Sequence, residues 1–140
     1  MVCLGNICRS PLAEGVLKNK LSSTHFRIDS AGTESFHIGK PPDYRSIKIA
    51  ANHGIDISLQ KARPFQLEDF YLFDKIYVMD RNNLKIIEQL AETSEQRDKV
   101  SLILKNEEVP DPYYGDESDF EMVFGLLDNA CDKIRFDLMN

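Results

Sequence analysis

Apolar positions along this chain fall into short blocks whose spacing alternates between a helical and a strand-like period. Leu12, Val16, Leu17 and Leu21 recur at roughly helical spacing. Ser10-Pro11 supplies start signals just before them, a hydroxyl at the N-cap and a proline at the first helical position, so a helix is predicted over residues 11–22. Similar patterning predicts helices near 43–53, 81–91 and 118–138, with Gly54 placed to end the second. In the last of them Phe120, Val123, Phe124, Leu127, Ala130, Cys131, Ile134 and Leu138 form one stripe suited to packing on a sheet. Strands are predicted near 26–31, 75–79 and 99–104. This order implies an α/β, doubly wound domain of three layers around a short parallel sheet, with ligands bound at the carboxyl ends of strands.

Composition narrows the picture. With 140 residues, 42% of them hydrophobic, and no long low-complexity stretch, residues 1–140 are expected to form one domain with its own core. A formal net charge of −6 argues against nonspecific nucleic-acid binding, so any affinity for phosphate has to come from a local field. The chain shows no run of 18 apolar residues and no basic-then-apolar leader, hence neither a membrane span nor a signal peptide is expected. Three cysteines fit a reducing cytoplasm. His25, His37 and His53 are dispersed and form no ligand pair, so packing or solvent roles are expected for all three and no metal or other cofactor is implied.

Candidate chemistry concentrates at the start. In Cys3-Leu4-Gly5-Asn6-Ile7-Cys8-Arg9-Ser10-Pro11, five residues separate a thiol from a guanidinium. That is enough for a tight loop whose backbone N–H groups turn inward around a tetrahedral anion, Gly5 permitting a backbone conformation that a side chain would hinder. The loop would sit on a helix N-terminus, whose field favours negative charge and therefore the thiolate form of Cys3. Arg9 offers a planar fork that can hold two phosphoryl oxygens through the transition state. Far along the chain, Asp111 lies between prolines 110 and 112, which hold a carboxylate on a loop and bias it away from helix. Expelling a phenolate, whose conjugate acid has a pKa of about 10, is easier when such an acid delivers a proton.

The run Val2–Pro11 resembles the signature loop of the low-molecular-weight protein tyrosine phosphatases, and Asp111-Pro112-Tyr113-Tyr114-Gly115 is similar to that family's general-acid loop. Asp29-Ser30-Ala31-Gly32-Thr33, Pro41-Pro42-Asp43-Tyr44-Arg45, His53-Gly54-Ile55 and Tyr77-Val78-Met79-Asp80 match in order, so the resemblance covers nearly the whole chain. It implies a four-stranded parallel sheet and hydrolysis of phosphotyrosine and aryl phosphate monoesters through a phosphocysteine. Cys3 is then the nucleophile, Arg9 the phosphate clamp and Asp111 the acid and later the base. Leu4, Gly5, Asn6, Ile7, Cys8, Arg9 and Ser10 would bind phosphate or a sulfate-like anion. Tyr113, Tyr114 and Phe36 would line the substrate pocket, with Ser10, Asn6 and Ser30 in support; Asp80 matches a family position without an assigned role. The expected partner is a phosphotyrosine protein, and the chain itself is a monomer or weak homodimer.

Two departures from the family pattern stand out. Of the hydrophobic strand that precedes the catalytic cysteine only Met1 and Val2 are present, so the first strand is largely missing. Its neighbours would be left with unpaired backbone groups unless another source, such as a second copy of the chain, supplied it. The segment Ser58-Leu59-Gln60-Lys61-Ala62-Arg63 lacks a histidine that many relatives use to brace the loop, and Gln60 is the candidate substitute. Cys8 carries two readings: a small buried thiol, or a partner that traps an oxidised Cys3 as a disulfide. Two other functions compete with the phosphatase. A phosphotyrosine-binding module with little turnover would follow from a compromised first strand. An arsenate reductase of the same fold would need further cysteines mid-chain, and none lies between Cys8 and Cys131.

Overall fold

The computed structural model describes residues 1–139. Along the chain run β1 (Val2–Cys3), α1 (Arg9–Lys20), β2 (Ala31–Gly32), α2 (Tyr44–Asn52), α3 (Asp69–Leu72), β3 (Ile76–Val78), α4 (Arg81–Leu90), α5 (Ser94–Asp98), β4 (Val100–Leu102) and α6 (Glu117–Met139). The strands form one parallel sheet in the order β2-β1-β3-β4. Alternation along the strands sorts side chains to two faces. Val2, Ile76, Val78, Val100 and Leu102 join Phe70 and Ile87 in one cluster. Cys3, Met79 and Ile103 join the other, with Leu12 and Val16 of α1, Ile49 of α2, and Val123, Phe124 and Leu127 of α6. Each fully buried aliphatic side chain contributes about 1.5–3 kcal/mol, and both faces of the sheet draw on that gain. The doubly wound, three-layer arrangement expected from the patterning is the one observed.

β1 is short, as its sequence anticipates, and pairs with both neighbours over its own length only. Val2 aligns with Ala31 on one side and Val78 on the other. Met1 O accepts from Ala31 N at 2.9 Å and Val2 O from Met79 N at 3.1 Å. The Met1 amino group donates to Asp29 O at 3.0 Å, and burial lowers its pKa. Below Met1 the core opens into a cavity of about 250 Å³ bordered by Phe26, Phe73, Tyr77 and Ile134.

Element limits differ from the expected ones in four places, the smallest being β4, which ends at Leu102 where 104 was predicted. The predicted strand 26–31 contributes only Ala31–Gly32 to the ladder, because β1 offers partners only at Val2 and Cys3; Phe26 and Ile28 pack against the core without joining it. α1 begins at Arg9 with Cys8 as its N-cap, two residues before the predicted start. The Ser10 hydroxyl is engaged elsewhere, and Pro11 sits in the first turn, where its missing N–H leaves no bond unmade. The short helices α3 and α5 were not expected. α2, α4 and α6 lie within a residue or so of prediction. Asp43 caps α2 by accepting from Arg45 N, and Asp80 and Asn83 form a capping box on α4.

Candidate active site

β1 ends at Cys3, and the chain turns through residues 4–8 before entering α1. Carbonyl groups of this loop are tied to the surrounding protein. Cys3 O accepts from Thr33 N at 2.9 Å, Leu4 O from Glu34 N at 3.0 Å, Ile7 O from Asp43 N at 2.8 Å, and Cys8 O from Leu12 N at 3.4 Å. In a trans peptide the N–H points opposite to the C=O, and no peptide bond here is cis. The N–H groups of Leu4, Gly5, Cys8 and Arg9 therefore face the inside of the loop, where the α1 N-terminus adds its own field.

Asn6, not Gly5, adopts the left-handed conformation in this loop, at φ 57°. Its side chain makes the conformation tolerable. Nδ2 donates to Ser10 Oγ at 2.8 Å and to Ser30 Oγ at 2.9 Å, while Oδ1 accepts from Arg63 N at 3.0 Å. Behind it, Ser30 Oγ donates to Glu14 Oε1 at 2.6 Å, and the buried Glu14 carboxylate meets Lys18 Nζ at 2.7 Å. At Gly5 a Cβ would stand 3.0 Å from His37 Cδ2, a tight contact that a shift of the His37 ring would relieve. At Gly32 a Cβ would stand 2.8 Å from Leu4 O and 3.2 Å from Asn6 N, so only glycine lets β2 approach the loop.

Cys3 Sγ lies 3.0 Å from Ser10 Oγ. Because Ser10 Oγ already accepts from Asn6, its own proton is available to the sulfur, with Ala31 O a longer alternative at 3.5 Å. Arg9, only 3% exposed, is fixed by Nη1, which donates to Asp80 Oδ2 at 2.8 Å and Val109 O at 2.9 Å. Its Nη2 stands 3.7 Å from Asp111 Oδ2. Asp80 is itself held, since its other oxygen accepts from Asn83 N at 2.8 Å. Asp111 is 43% exposed and its Oδ1 accepts from Tyr113 N at 3.1 Å. These groups open into a cavity of about 280 Å³ completed by Phe36, His37, Tyr113 and Tyr114. The two tyrosines meet edge to face at 4.9 Å. Burial pushes the Cys8 thiol up to about 12, with Asp43, Cys3 and Asp111 adding to the shift, so Cys8 is protonated at neutral pH.

A thiol under inward amide groups, a fixed guanidinium beside it and a partly exposed carboxyl group nearby form a constellation suited to phosphoryl transfer. The model of the low molecular weight phosphotyrosine protein phosphatases matches residues 1–139. The chain belongs to that family. It is 40% identical to the human low molecular weight phosphotyrosine protein phosphatase over 140 aligned residues, covering 93% of this chain and 88% of the human one. Among solved structures, a protein tyrosine phosphatase from Entamoeba histolytica with Hepes in its active site superposes at TM-score 0.92 and 36% identity, covering 99% of this chain and 94% of its own. Wzb from Vibrio vulnificus in complex with benzylphosphonate superposes at 0.89 and 30% identity, covering 97% and 94%.

The low-molecular-weight phosphatase motifs thus come together in space as well as in order. Cys3, Leu4, Gly5, Ile7, Cys8, Arg9, Asp111, Tyr113, Tyr114 and Phe36 meet at one cavity, whereas Asn6 and Ser10 lie behind its wall, Ser10 against Cys3 and Asn6 against Ser10 and Ser30. Gln60 braces the helix that follows the loop. Its Nε2 donates to Pro11 O at 3.1 Å, while the Arg63 backbone N–H holds the loop itself. Sequence reasoning missed His37, given a packing or solvent role and found lining the cavity, and also Arg63, Glu14 and Arg45. The Asp43-Tyr44-Arg45 match was the one available signal for the last.

Proposed function

We propose that residues 1–140 act as one phosphatase domain that hydrolyses phosphotyrosine and aryl phosphate monoesters through a phosphocysteine on Cys3. The observation that carries this reading is the convergence of Cys3 Sγ, the inward N–H groups, Arg9 Nη2 and Asp111 on one cavity. A phosphate dianion seated in the loop receives the amide N–H groups and the free edge of Arg9, Nε and Nη2, since Nη1 is occupied by Asp80 and Val109. Cys3 Sγ attacks phosphorus opposite the leaving oxygen, which takes a proton from Asp111. Asp111 then accepts a proton from the water that hydrolyses the thiophosphate, and Ser10 donates to the departing sulfur. Tyr113, Tyr114 and Phe36 suit an aromatic leaving group. The benzylphosphonate held by the Vibrio relative carries a methylene where an aryl phosphate carries its bridging oxygen, which supports an aromatic substrate of that size.

Regulation belongs to the same reading. Peroxide oxidises Cys3 to the sulfenic acid, and the Cys8 thiol displaces water from it to close a Cys3–Cys8 disulfide, which thiol reductants reopen. Unpaired cysteines and a net charge of −6 suit action in the cytoplasm on a phosphotyrosine protein.

The test is turnover of p-nitrophenyl phosphate and of a phosphotyrosine peptide. Cys3→Ser is expected to abolish both. Asp111→Asn is expected to lower peptide turnover by about 10²–10⁴-fold, and rapid acid quench of wild type to trap one phosphate on Cys3. Turnover surviving in Cys3→Ser overturns the assignment.

A further inference from the structure

Arg45, the last residue of the Pro41–Arg45 match, has no part in the chemistry above, yet its side chain bridges α2 and the segment that carries Asp111. Nη2 donates to Tyr113 O at 2.9 Å and Nη1 reaches Gly115 O at 3.4 Å. The same guanidinium is oriented from behind by Asp43, whose Oδ1 accepts from Nε at 3.0 Å and Oδ2 from Nη2 at 2.9 Å. It lies over the Phe120 ring at 4.5 Å and the Tyr113 ring at 5.6 Å. Asp43 in turn donates its backbone N–H to Ile7 O at 2.8 Å, so it is anchored on the phosphate loop. A continuous path of contacts runs from Ile7 through Asp43 and Arg45 to Tyr113, whose own N–H holds Asp111 Oδ1 at 3.1 Å.

That path matters because of what the 111–115 segment supplies for itself. Before it, Val109 is anchored through its N–H to Met79 O at 2.8 Å and its carbonyl to Arg9; beyond Asp111 the turn, Gly115 N to Pro112 O at 2.8 Å, fixes the segment's shape but not its place over the phosphate loop. Arg45 supplies the place, with both donors of a rigid fork spread across two carbonyls of the turn. A carboxyl group that must protonate a leaving oxygen has to stand within hydrogen-bond reach of it, and a misplacement of about 1 Å can cost up to ~10²-fold in rate.

We propose that Arg45 is a positioning residue for proton transfer, registering the Asp111 carboxyl against the phosphate loop by gripping the carbonyls of Tyr113 and Gly115. The proposal rests on the assignment of Asp111 as general acid. Arg45 touches neither phosphate nor leaving group; its effect passes through the acid and is largest where the leaving group depends on one. Phenolate leaves poorly without a proton, whereas dinitrophenolate leaves without help.

The experiment compares kcat/KM for phenyl phosphate and dinitrophenyl phosphate in wild type, Arg45→Met, Asp111→Asn and the double variant, with the Ki of inorganic phosphate as a check on the folded loop. Arg45→Met is expected to lose about tenfold on phenyl phosphate, to stay within about twofold on the dinitrophenyl ester and to leave the phosphate Ki unchanged. In the Asp111→Asn background it is expected to cost nothing further, because its effect has no acid to pass through. If Arg45→Met does not fold, Arg45→Lys keeps the charge, gives up the fork and is expected to show the same leaving-group dependence. Equal losses on both esters, or losses that multiply with those of Asp111→Asn, overturn the proposal alone. Two esters treated alike by Asp111→Asn overturn the acid assignment and this inference with it.

Discussion

Asn6 holds a left-handed backbone at the centre of the phosphate loop because three partners from three parts of the chain, Ser10, Ser30 and Arg63, saturate its amide. Cys3 and Cys8, five residues apart, meet opposite fates in the same loop. Cys3 faces Ser10 beneath the cradle, while burial and the carboxylates of Asp43 and Asp111 keep Cys8 protonated, with a pKa pushed up to about 12. Disulfide closure by Cys8 is therefore expected to be slow at neutral pH and to accelerate about tenfold per pH unit well above it, since thiolate is the attacking form. Mass mapping of peroxide-treated protein, quenched at intervals between pH 7 and 9, measures that slope; a flat profile contradicts it. The run Cys3–Ser10 was legible in sequence because loop, nucleophile and helix start are contiguous. Arg63, Arg45 and His37 were not, because each enters from a distant segment, Arg63 through its backbone N–H, which carries no sequence signature; Glu14 lies close by in α1 but acts only through Ser30, a partner brought in by the fold.

At the level of elements, α2, α4 and α6 were readable to within a residue or so, α1 was displaced by two residues at each end, and the four- and five-residue helices α3 and α5, too short to show a period, were not read. The strand predicted at 26–31 failed for a different reason. Apolar residues at 26 and 28 find burial without a ladder, since β1 ends the pairing after two residues. α2 shows what a cap does beyond its helix. Asp43 accepts from Arg45 N and grips the Arg45 side chain, and these bonds lower its pKa from an ordinary value of 3.8. A carboxylate with a depressed folded pKa stabilises above its unfolded value and loses that contribution as pH falls through the folded one. Asp43→Asn keeps the cap but loses the charge opposite Arg45, so it is expected to destabilise the protein at pH 7 by up to about 1 kcal/mol, and the gap from wild type to close below pH 3.8, in urea unfolding at matched salt.

For the molecule as a whole, the α1–α2–α6 side of the sheet is the larger apolar core, and Cys131 lies fully within it. Burial pushes its thiol to about 12. Cys8 and Cys131 both bind their protons more tightly in the folded state. Their contribution is complete below the ordinary thiol value of 9.0 and is lost as pH climbs toward 12, so melting temperatures are expected to fall steeply across that range. Cys131→Ala is expected to lower the melting temperature at pH 7 through the cavity it leaves, and to show a shallower alkaline decline than wild type. The same long-range assembly shapes how a ligand is received. Arg9 stands at the start of α1, is gripped by the cap of α4 and by a carbonyl beyond β4, and cannot wander when the loop is empty. A free arginine surrenders about 2 kcal/mol of rotamer freedom when it is immobilised. Here that loss occurs as the chain folds, so under the proposed function none of the attraction for a phosphate is spent on ordering the arginine.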